Sequence, residues 1–255
     1  MKEFLLDRKA FMIENCANSV QSCVEAQKGG ADRVELCAGI PEGGTTPSLG
    51  EIVAARKLLH IKLHVIIRPR GGDFLYSPLE LEIMEHDIKE AVRLGADGVV
   101  FGCLTKDGAI DISANERLMK AAAGISTTFH RAFDCCKNPS EALEPIISLG
   151  FNRILTSGQE SAADKGIPLL KFLNEQAKGR IILMAGCGVN ELNIAKIFKE
   201  TDIKEYHFSA REKQRSDMFY INPHVFMGDK DADEYSIETT SADKVQHTIE
   251  ALLKA

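Results

Sequence analysis

The chain has 255 residues, a hydrophobic content of 44% and a formal net charge of −6 at pH 7. This length suits one large α/β domain or two small ones, and the negative charge, with no block of lysine and arginine, argues against a nucleic-acid binder. No stretch approaches the roughly 20 apolar residues of a membrane helix. The first nine residues carry charges too early for a signal peptide, so we predict a cytoplasmic protein with no nucleic-acid or membrane partner.

Eight short apolar segments are predicted to be strands, and a helix or helix-like stretch follows each of them. The predicted strands cover residues 11–17, 33–36, 62–67, 98–101, 126–129, 153–156, 180–185 and 205–208. Four helix starts carry a capping residue with Glu three residues later, at Ser48, Ser77, Ser113 and Asn138. Strands and helices that alternate in this way are typical of a parallel sheet, whose strands end on a common face.

The count of strand–helix units predicts a (β/α)8 TIM barrel, an α/β fold that the chain forms as a single domain over residues 1–255. A weak repeat supports the count: after Gly30, Gly95 and Gly150, Asp or Asn turns the chain and a β-branched residue begins a strand. The alternative fold, a doubly wound open sheet, predicts a Gly-x-Gly-x-x-Gly motif after the first strand, and this motif is absent.

The regular alternation stops after the eighth predicted strand. Residues 211–242 are polar and include the acidic run 229–234, so we predict a long loop. Loops of this length are usually lids or oligomer contacts, or else they are disordered. Residues 245–253 are predicted to form the closing helix.

Side-chain alternation along the strands places several ionisable groups on the inner face of the barrel, near one end. The candidate catalytic residues are Glu14, Glu35, His64, Arg68, His130 and Asp134. An enzyme at this end would pair Glu14 or Glu35 as base with His64 or His130 as acid, acting on a small phosphorylated or carboxylated metabolite. The alternative is an oligomeric scaffold without a ligand, in which the inward charges only pair with one another.

Two cysteines end neighbouring predicted strands on this same inner face. Cys16 follows Glu14 and Cys37 follows Glu35, each two residues along its strand. Neighbouring strands lie about 4.8 Å apart, so the two sulfur atoms could meet. Paired thiolates suit Cu(I), whereas zinc requires four ligands. Simple packing is the alternative, because cysteine is among the most buried residue types.

Glycine-rich turns after the last two strands predict an anion site. The candidate residues are Gly186, Gly188 and Ser209, with Arg70 as a possible source of positive charge. Glycine lets backbone N–H groups approach an anion, and TIM barrels often hold phosphate at this place. The alternative interpretation is that these glycines only form tight turns.

Several long motifs resemble one family, the CutC copper homeostasis proteins. They are Glu14-Asn-Cys-Ala-Asn-Ser19, Gly29-Gly-Ala-Asp-Arg-Val-Glu-Leu-Cys37, Glu42-Gly-Gly-Thr-Thr-Pro-Ser48, Ile67-Arg-Pro-Arg-Gly-Gly-Asp-Phe74, Thr128-Phe-His-Arg-Ala-Phe-Asp134, Arg153-Ile-Leu-Thr-Ser-Gly-Gln159 and His207-Phe-Ser-Ala210. The resemblance runs in order from about residue 11 to residue 220, which leaves residues 1–10 as an N-terminal extension.

The resemblance implies a TIM barrel, a cytoplasmic location, a role in copper handling and a homo-oligomer, a dimer or a tetramer. In the family, Cu(I) is linked to cysteines at the ends of the first two strands, and these positions match Cys16 and Cys37 here. The predicted function is therefore that of a copper homeostasis protein which binds Cu(I). The enzyme described above is the alternative.

Overall fold

A computed structural model of the chain describes residues 6–122, 124–222, 224–225, 227 and 233–255. The first eight strands are β1 Met12–Ala17, β2 Arg33–Leu36, β3 Lys62–Ile66, β4 Gly98–Phe101, β5 Ser126–Phe129, β6 Arg153–Thr156, β7 Ile182–Gly186 and β8 Glu205–Phe208. The helices are α1 Val20–Lys28, α2 Leu49–Leu58, α3 Pro78–Arg93, α4 Ile112–Ala121, α5 Pro139–Ser148, α6 Ile167–Ala177, α7 Ile194–Thr201 and α8 Ala242–Leu253.

The strands β1 to β8 form one closed parallel barrel in sequence order, with β8 paired to β1. The predicted TIM barrel is therefore confirmed, and the open-sheet alternative is wrong because the sheet closes on itself. Side chains such as Ile13, Val34 and Leu36 point outward and are buried under the helices. None of the helices in the described part of the chain is long and apolar enough to span a membrane.

Three of the four predicted helix caps are observed, at Ser48, Ser77 and Asn138. Ser48 and Ser77 form reciprocal capping boxes with Glu51 and Glu80, which fixes the starts of α2 and α3. The predicted start at Ser113 is displaced. The carboxylate of Asp111 accepts the N–H of Ala114 and begins α4 two residues earlier, because Asp is as good an N-cap as Ser.

The structure corrects the predicted long loop over residues 211–242. Its two ends form an antiparallel hairpin of β9 Arg211–Arg215 and β10 Ser236–Thr240, and α8 begins at residue 242 rather than 245. The strand β9 reads Arg-Glu-Lys-Gln-Arg and faces solvent, so it lacks the apolar alternation by which strands are recognised. The hairpin is attached to the barrel where the N–H of Thr240 donates to Ser22 Oγ, at 3.0 Å.

Parts of two further predicted segments lie outside the described residues. These are residues 1–5 of the N-terminal extension and residues 229–232 of the acidic run. The described part of the extension is tied to the barrel, because Arg8 Nη2 lies 2.8 Å from Asp32 Oδ2.

Candidate functional site

The interior of the barrel holds a layer of buried charges where many TIM barrels have apolar side chains. Arg33 lies between the carboxylates of Glu14 and Glu205, and its Nη2 is 2.6 Å from Glu205 Oε2. Arg153 Nε lies 3.1 Å from the same carboxylate oxygen. Burial alone would raise the pKa of Glu14, but Arg33 and His207 hold it well below its usual range. Glu14 is therefore an ionised partner in this layer rather than a free base.

His64 belongs to the same layer and does not line the cavity above it. Its Nδ1 lies 3.5 Å from Glu14 Oε2, and its ring fills the space left by the missing side chain of Gly98. Burial lowers the pKa of His64 to about 3, so its ring is neutral at pH 7.

A cavity of about 500 Å³ opens above the charged layer, at the C-terminal ends of the strands. Many predicted site residues line it, namely Cys16, Glu35, Cys37, Arg68, His130, Asp134, Gly188 and Ser209. Glu14 and His64 lie in the layer beneath. The barrel thus brings most of the predicted residues to one mouth, as expected for a TIM barrel.

The two cysteines meet at this mouth. Their Sγ atoms are 3.9 Å apart, with Cys37 buried and Cys16 half-buried. The Arg211 guanidinium lies 3.6 Å from Cys16 Sγ. The pKa of the Cys16 thiol is held well below its usual range by a hydrogen bond from Cys37 and by the hydrogen bond and charge of His207. The same Cys16–Cys37 hydrogen bond raises the pKa of Cys37. The pair therefore favours one thiolate, on Cys16, and one thiol.

His207 joins the cysteines to the carboxyl groups. Its Nδ1 lies 2.9 Å from Glu14 Oε1, and its Nε2 lies 3.5 Å from Glu35 Oε2. Burial opposes a charged ring, but hydrogen bonds to Cys16 and Glu14 raise the pKa of His207 well above its usual range. Burial raises the pKa of Glu35 to about 8, so this group can hold a proton at neutral pH.

Two sets of side chains bring possible metal-ligand atoms close together. The ligand atoms of Cys16, Glu35 and Cys37 lie within 4.8 Å of one another, and so do those of Glu14, Glu35 and His207. In the second set Glu14 is already paired with Arg33, and it does not line the cavity. The first set faces the cavity and contains both sulfur atoms, so it is the better candidate for a soft metal ion.

Asp134 lines the cavity, but its oxygen atoms are occupied. The carboxylate accepts from Thr156 Oγ1 at 2.5 Å, from the N–H of Ser157 at 3.1 Å and from the N–H of Gln159 at 3.2 Å. Arg131 Nε adds a further bond at 2.8 Å. These bonds hold the loops after β5 and β6 together, so Asp134 has a positioning role at the mouth.

The predicted anion residues separate in the structure. Gly188 and Ser209 line the cavity, whereas Gly186 is packed so closely that a Cβ atom there would lie 2.4 Å from Leu155 Cδ1. The structure corrects the placement of Arg70, which lies outside the cavity. Its Nε is 2.5 Å from Glu80 Oε1, because it lies beyond the end of β3, where the carboxylate at the start of α3 attracts it.

The sequence prediction missed several residues of the site. Alternation on β8 and β6 puts His207, Glu205 and Arg153 on the inner face, and this signal could have identified them. Arg211 lies in the segment predicted to be a loop, so the sequence carries no comparable signal for it. Alternation on β2 also puts Arg33 on the inner face, beside its register partner Glu14 on β1, whereas Glu205 comes close only because β8 pairs with β1.

The neutral histidines predict how stability depends on pH. Burial lowers the pKa of both His64 and His130 to about 3, while an unfolded histidine titrates near 6.5. Between about pH 6 and pH 4, unfolding therefore takes up one proton at each ring, and stability falls by about 1.4 kcal/mol per pH unit for each histidine as the pH is lowered.

Urea unfolding at several pH values checks this expectation. Replacing His64→Gln should reduce the slope of unfolding free energy against pH by about 1.4 kcal/mol per unit. Replacing the exposed His60→Gln should leave the slope unchanged. Equal slopes in the wild type and His64→Gln would show that the His64 ring is charged in the folded protein.

A closed ring of eight parallel strands with a cavity at their C-terminal ends defines a TIM-barrel protein whose candidate site lies at the usual mouth. The model of the CutC family matches residues 11–212, and the chain belongs to this family. The resemblance found in the sequence is thereby confirmed.

Relatives and solved structures agree with the assignment. A CutC family protein of Bacteroides thetaiotaomicron is 63% identical over 246 residues, which cover 96% of this chain and 99% of the relative. The human copper homeostasis protein cutC homolog is 48% identical over 96% of this chain and 89% of its own.

A CutC crystal structure from Streptococcus agalactiae is 40% identical, with a TM-score of 0.75 over 78% of this chain and 98% of that one. Phosphoribosylanthranilate isomerase from Pyrococcus furiosus shares the fold alone. It is 11% identical, with a TM-score of 0.56 over 96% of this chain and all of its own.

Proposed function

We propose that the chain binds Cu(I) through Cys16 and Cys37 and contributes to copper homeostasis. The observation that carries this proposal is the 3.9 Å separation of the two Sγ atoms at the edge of an open cavity. Two sulfur atoms that bind one ion at about 2.3 Å, the bond length found for zinc, lie about 4.0 Å apart in trigonal geometry and about 4.6 Å apart in linear geometry. The pair thus needs only a small adjustment, and the name of the human relative, a copper homeostasis protein homolog, supports the choice of metal.

The chemistry of the donor set favours Cu(I) over zinc. Thiolates are soft ligands, and Cu(I) accepts a low coordination number, whereas structural zinc takes four ligands. Among the described residues, the group within 4.8 Å of both sulfur atoms is Glu35, a hard oxygen ligand. Arg211 and His207 stabilise the negative charge of Cys16, so the thiolate form is available for a metal ion.

Anaerobic titration against a Cu(I)-binding competitor dye tests the proposal. The wild type should take one Cu(I) ion per chain from the dye, and the Cys16→Ser/Cys37→Ser variant should lose this affinity for Cu(I). The matched control is Cys135→Ser/Cys187→Ser, since these two cysteines line the same cavity and should leave the affinity unchanged. Equal Cu(I) affinity in the Cys16→Ser/Cys37→Ser variant and the wild type would remove the proposal.

A second candidate function is acid–base catalysis on a small phosphorylated or carboxylated molecule. Two observations favour it: the cavity is far larger than one ion needs, and Glu35 is a carboxyl group whose pKa burial raises to about 8. A carboxylic acid that keeps its proton near neutral pH can act as a general acid. The first requirement of this function is an organic ligand in the cavity.

We also propose that the protein works in the cytoplasm, as a dimer or tetramer. The seven cysteines are all free thiols, the state that a reducing compartment maintains.

An exposed apolar cluster supports the oligomer. Met218, Phe219 and Tyr220 are exposed next to the hairpin, and exposed apolar clusters of this kind are often covered by another protein chain.

A further inference from the structure

One part of the cavity wall, formed by Arg68, Phe74 and His130, is not used by the cysteines. We call these three residues the Arg–Phe–His cluster. The Cζ atom of Arg68 lies 5.2 Å from the centre of the Phe74 ring, and the His130 ring lies 4.9 Å from it, edge to face. The phenyl ring thus holds the two nitrogen-bearing side chains as neighbours.

His130 offers a buried N–H donor without a partner. The side chain is 4% exposed, and its Nδ1 accepts the N–H of Ala132 at 3.3 Å. Burial and the charge of Arg68 lower the pKa of His130 to about 3, so the neutral ring carries its proton on Nε2. Within the described part of the chain, Nε2 has no hydrogen-bond partner. A buried donor of this kind is costly unless a ligand or water satisfies it.

Arg68 carries a charge that no carboxylate among the described residues pairs with. Its Nη atoms donate to the carbonyls of Glu42, Gly44 and Gly72 at 2.7, 2.9 and 2.8 Å. These bonds fix the guanidinium but leave its positive charge, and its Nε has no partner in the described structure. The side chain is only 5% exposed, so the charge acts in a poorly solvated environment.

The charge of the whole cavity agrees with this local picture. Three arginines line it, Arg68, Arg131 and Arg211, against the two carboxyl groups of Asp134 and Glu35, while His207 offsets the Cys16 thiolate. The wall is therefore relatively positive in a chain whose net charge is −6. Such a cavity attracts small anions.

We propose that the Arg–Phe–His cluster binds the oxyanion group, carboxylate or phosphoryl, of a small organic molecule whose apolar part fills the rest of the cavity. Charge-assisted bonds to such a group are the strong ones. The apolar lining that would contact the body of the molecule is Ile40, Ile66, Leu155, Val189 and Phe208. The proposal goes beyond copper binding, and it supplies the ligand class on which the second candidate function rests.

Titration with small aromatic probes, followed by NMR of the histidine ring nitrogens, tests the proposal. The Cys16→Ser/Cys37→Ser variant is the protein used, so that copper plays no part. Benzoate and phenyl phosphate should each shift the His130 Nε2–H signal at millimolar concentration, and the tighter of the two identifies the head group. Benzamide, which is neutral and has the same ring, should bind at least about ten-fold more weakly.

Two substitutions at His130 distinguish the loss of the Nε2 donor from a loss of folding. His130→Asn keeps an acceptor for the N–H of Ala132 but loses the Nε2 donor. It should therefore lower the affinity for the tighter-binding probe about ten-fold or more. His130→Gln can place a donor near the lost Nε2 and should recover part of the affinity. The proposal is overturned if neither probe moves the His130 signal, or if benzamide binds as well as benzoate. It is also overturned if His130→Asn, folded by circular dichroism, binds unchanged.

Failure of this experiment is distinct from failure of the copper proposal. Copper binding is measured on Cys16 and Cys37, and anion binding is measured in their absence. A protein that binds Cu(I) but neither probe would retain the first function and lose the second.

Discussion

Replacing Arg33→Met should lower the free energy of unfolding by about 3–5 kcal/mol, the usual result of removing one partner from a buried ion pair. Arg33 is the cation between Glu14 and Glu205, all three of them buried inside the barrel. Methionine has a similar length but no charge, so the variant leaves Glu14 with no guanidinium partner. Urea unfolding measures the loss as a lower midpoint.

The control for this prediction is Arg93→Met on the surface of α3. Arg93 pairs with Glu90 in solvent, and exposed pairs of this type contribute little, so its unfolding midpoint should stay unchanged. If Arg33→Met and Arg93→Met gave equal midpoints, Arg33 would not be the counter-charge that the buried carboxylate of Glu14 requires.

The second large effect is expected from Gly98→Ala in β4. A Cβ atom at this position would lie 2.4 Å from Nε2 and 2.6 Å from Cδ2 of His64. The His64 ring is buried and cannot move away without disturbing Glu14, so overpacking should cost about 1–3 kcal/mol or more. Thermal unfolding should show this as a melting temperature lower by several degrees.

Gly50→Ala in α2 is the matched control, because its Cβ would touch little more than Ser48 Oγ at 3.9 Å. Alanine favours a helix more than glycine does, so this variant should be neutral or slightly more stable. A Gly98→Ala protein that melts like Gly50→Ala would mean that the His64 ring does not occupy the space beside Gly98.

The strands and the inner-face residues could be predicted from the sequence for a simple reason. Buried parallel strands are short apolar runs bounded by turn residues, and their side chains alternate with a period of two. That rule alone places Glu14 with Cys16 and Glu35 with Cys37. The closed barrel then aligns them, because Cys16 is the register partner of Glu35.

The partners of these residues could not be predicted from the sequence in the same way. Arg33 contacts Glu205 only because the last strand closes against the first, and alternation within one strand carries no information about closure. Arg70 lies past the end of β3, where the period of two no longer applies. The hairpin strand β9 has the composition of a loop because it faces water.

The occupied oxygen atoms of Asp134 illustrate a further limit. Its sequence neighbours His130 and Arg131 indicate a reactive cluster, but the donors that engage the carboxylate include Thr156, Ser157 and Gln159 from the loop after the next strand. Whether a carboxylate is free or engaged depends on such distant groups. The spacing of residues 130–134 carries no information about these donors.

X-ray absorption at the copper K-edge of the protein loaded with one equivalent of Cu(I) identifies the atoms that bind the ion. We expect sulfur atoms in the first shell of the ion, and we expect this sulfur shell to disappear in the Cys16→Ser/Cys37→Ser variant. A first shell of nitrogen and oxygen alone, or a sulfur shell that survives the double substitution, would contradict it.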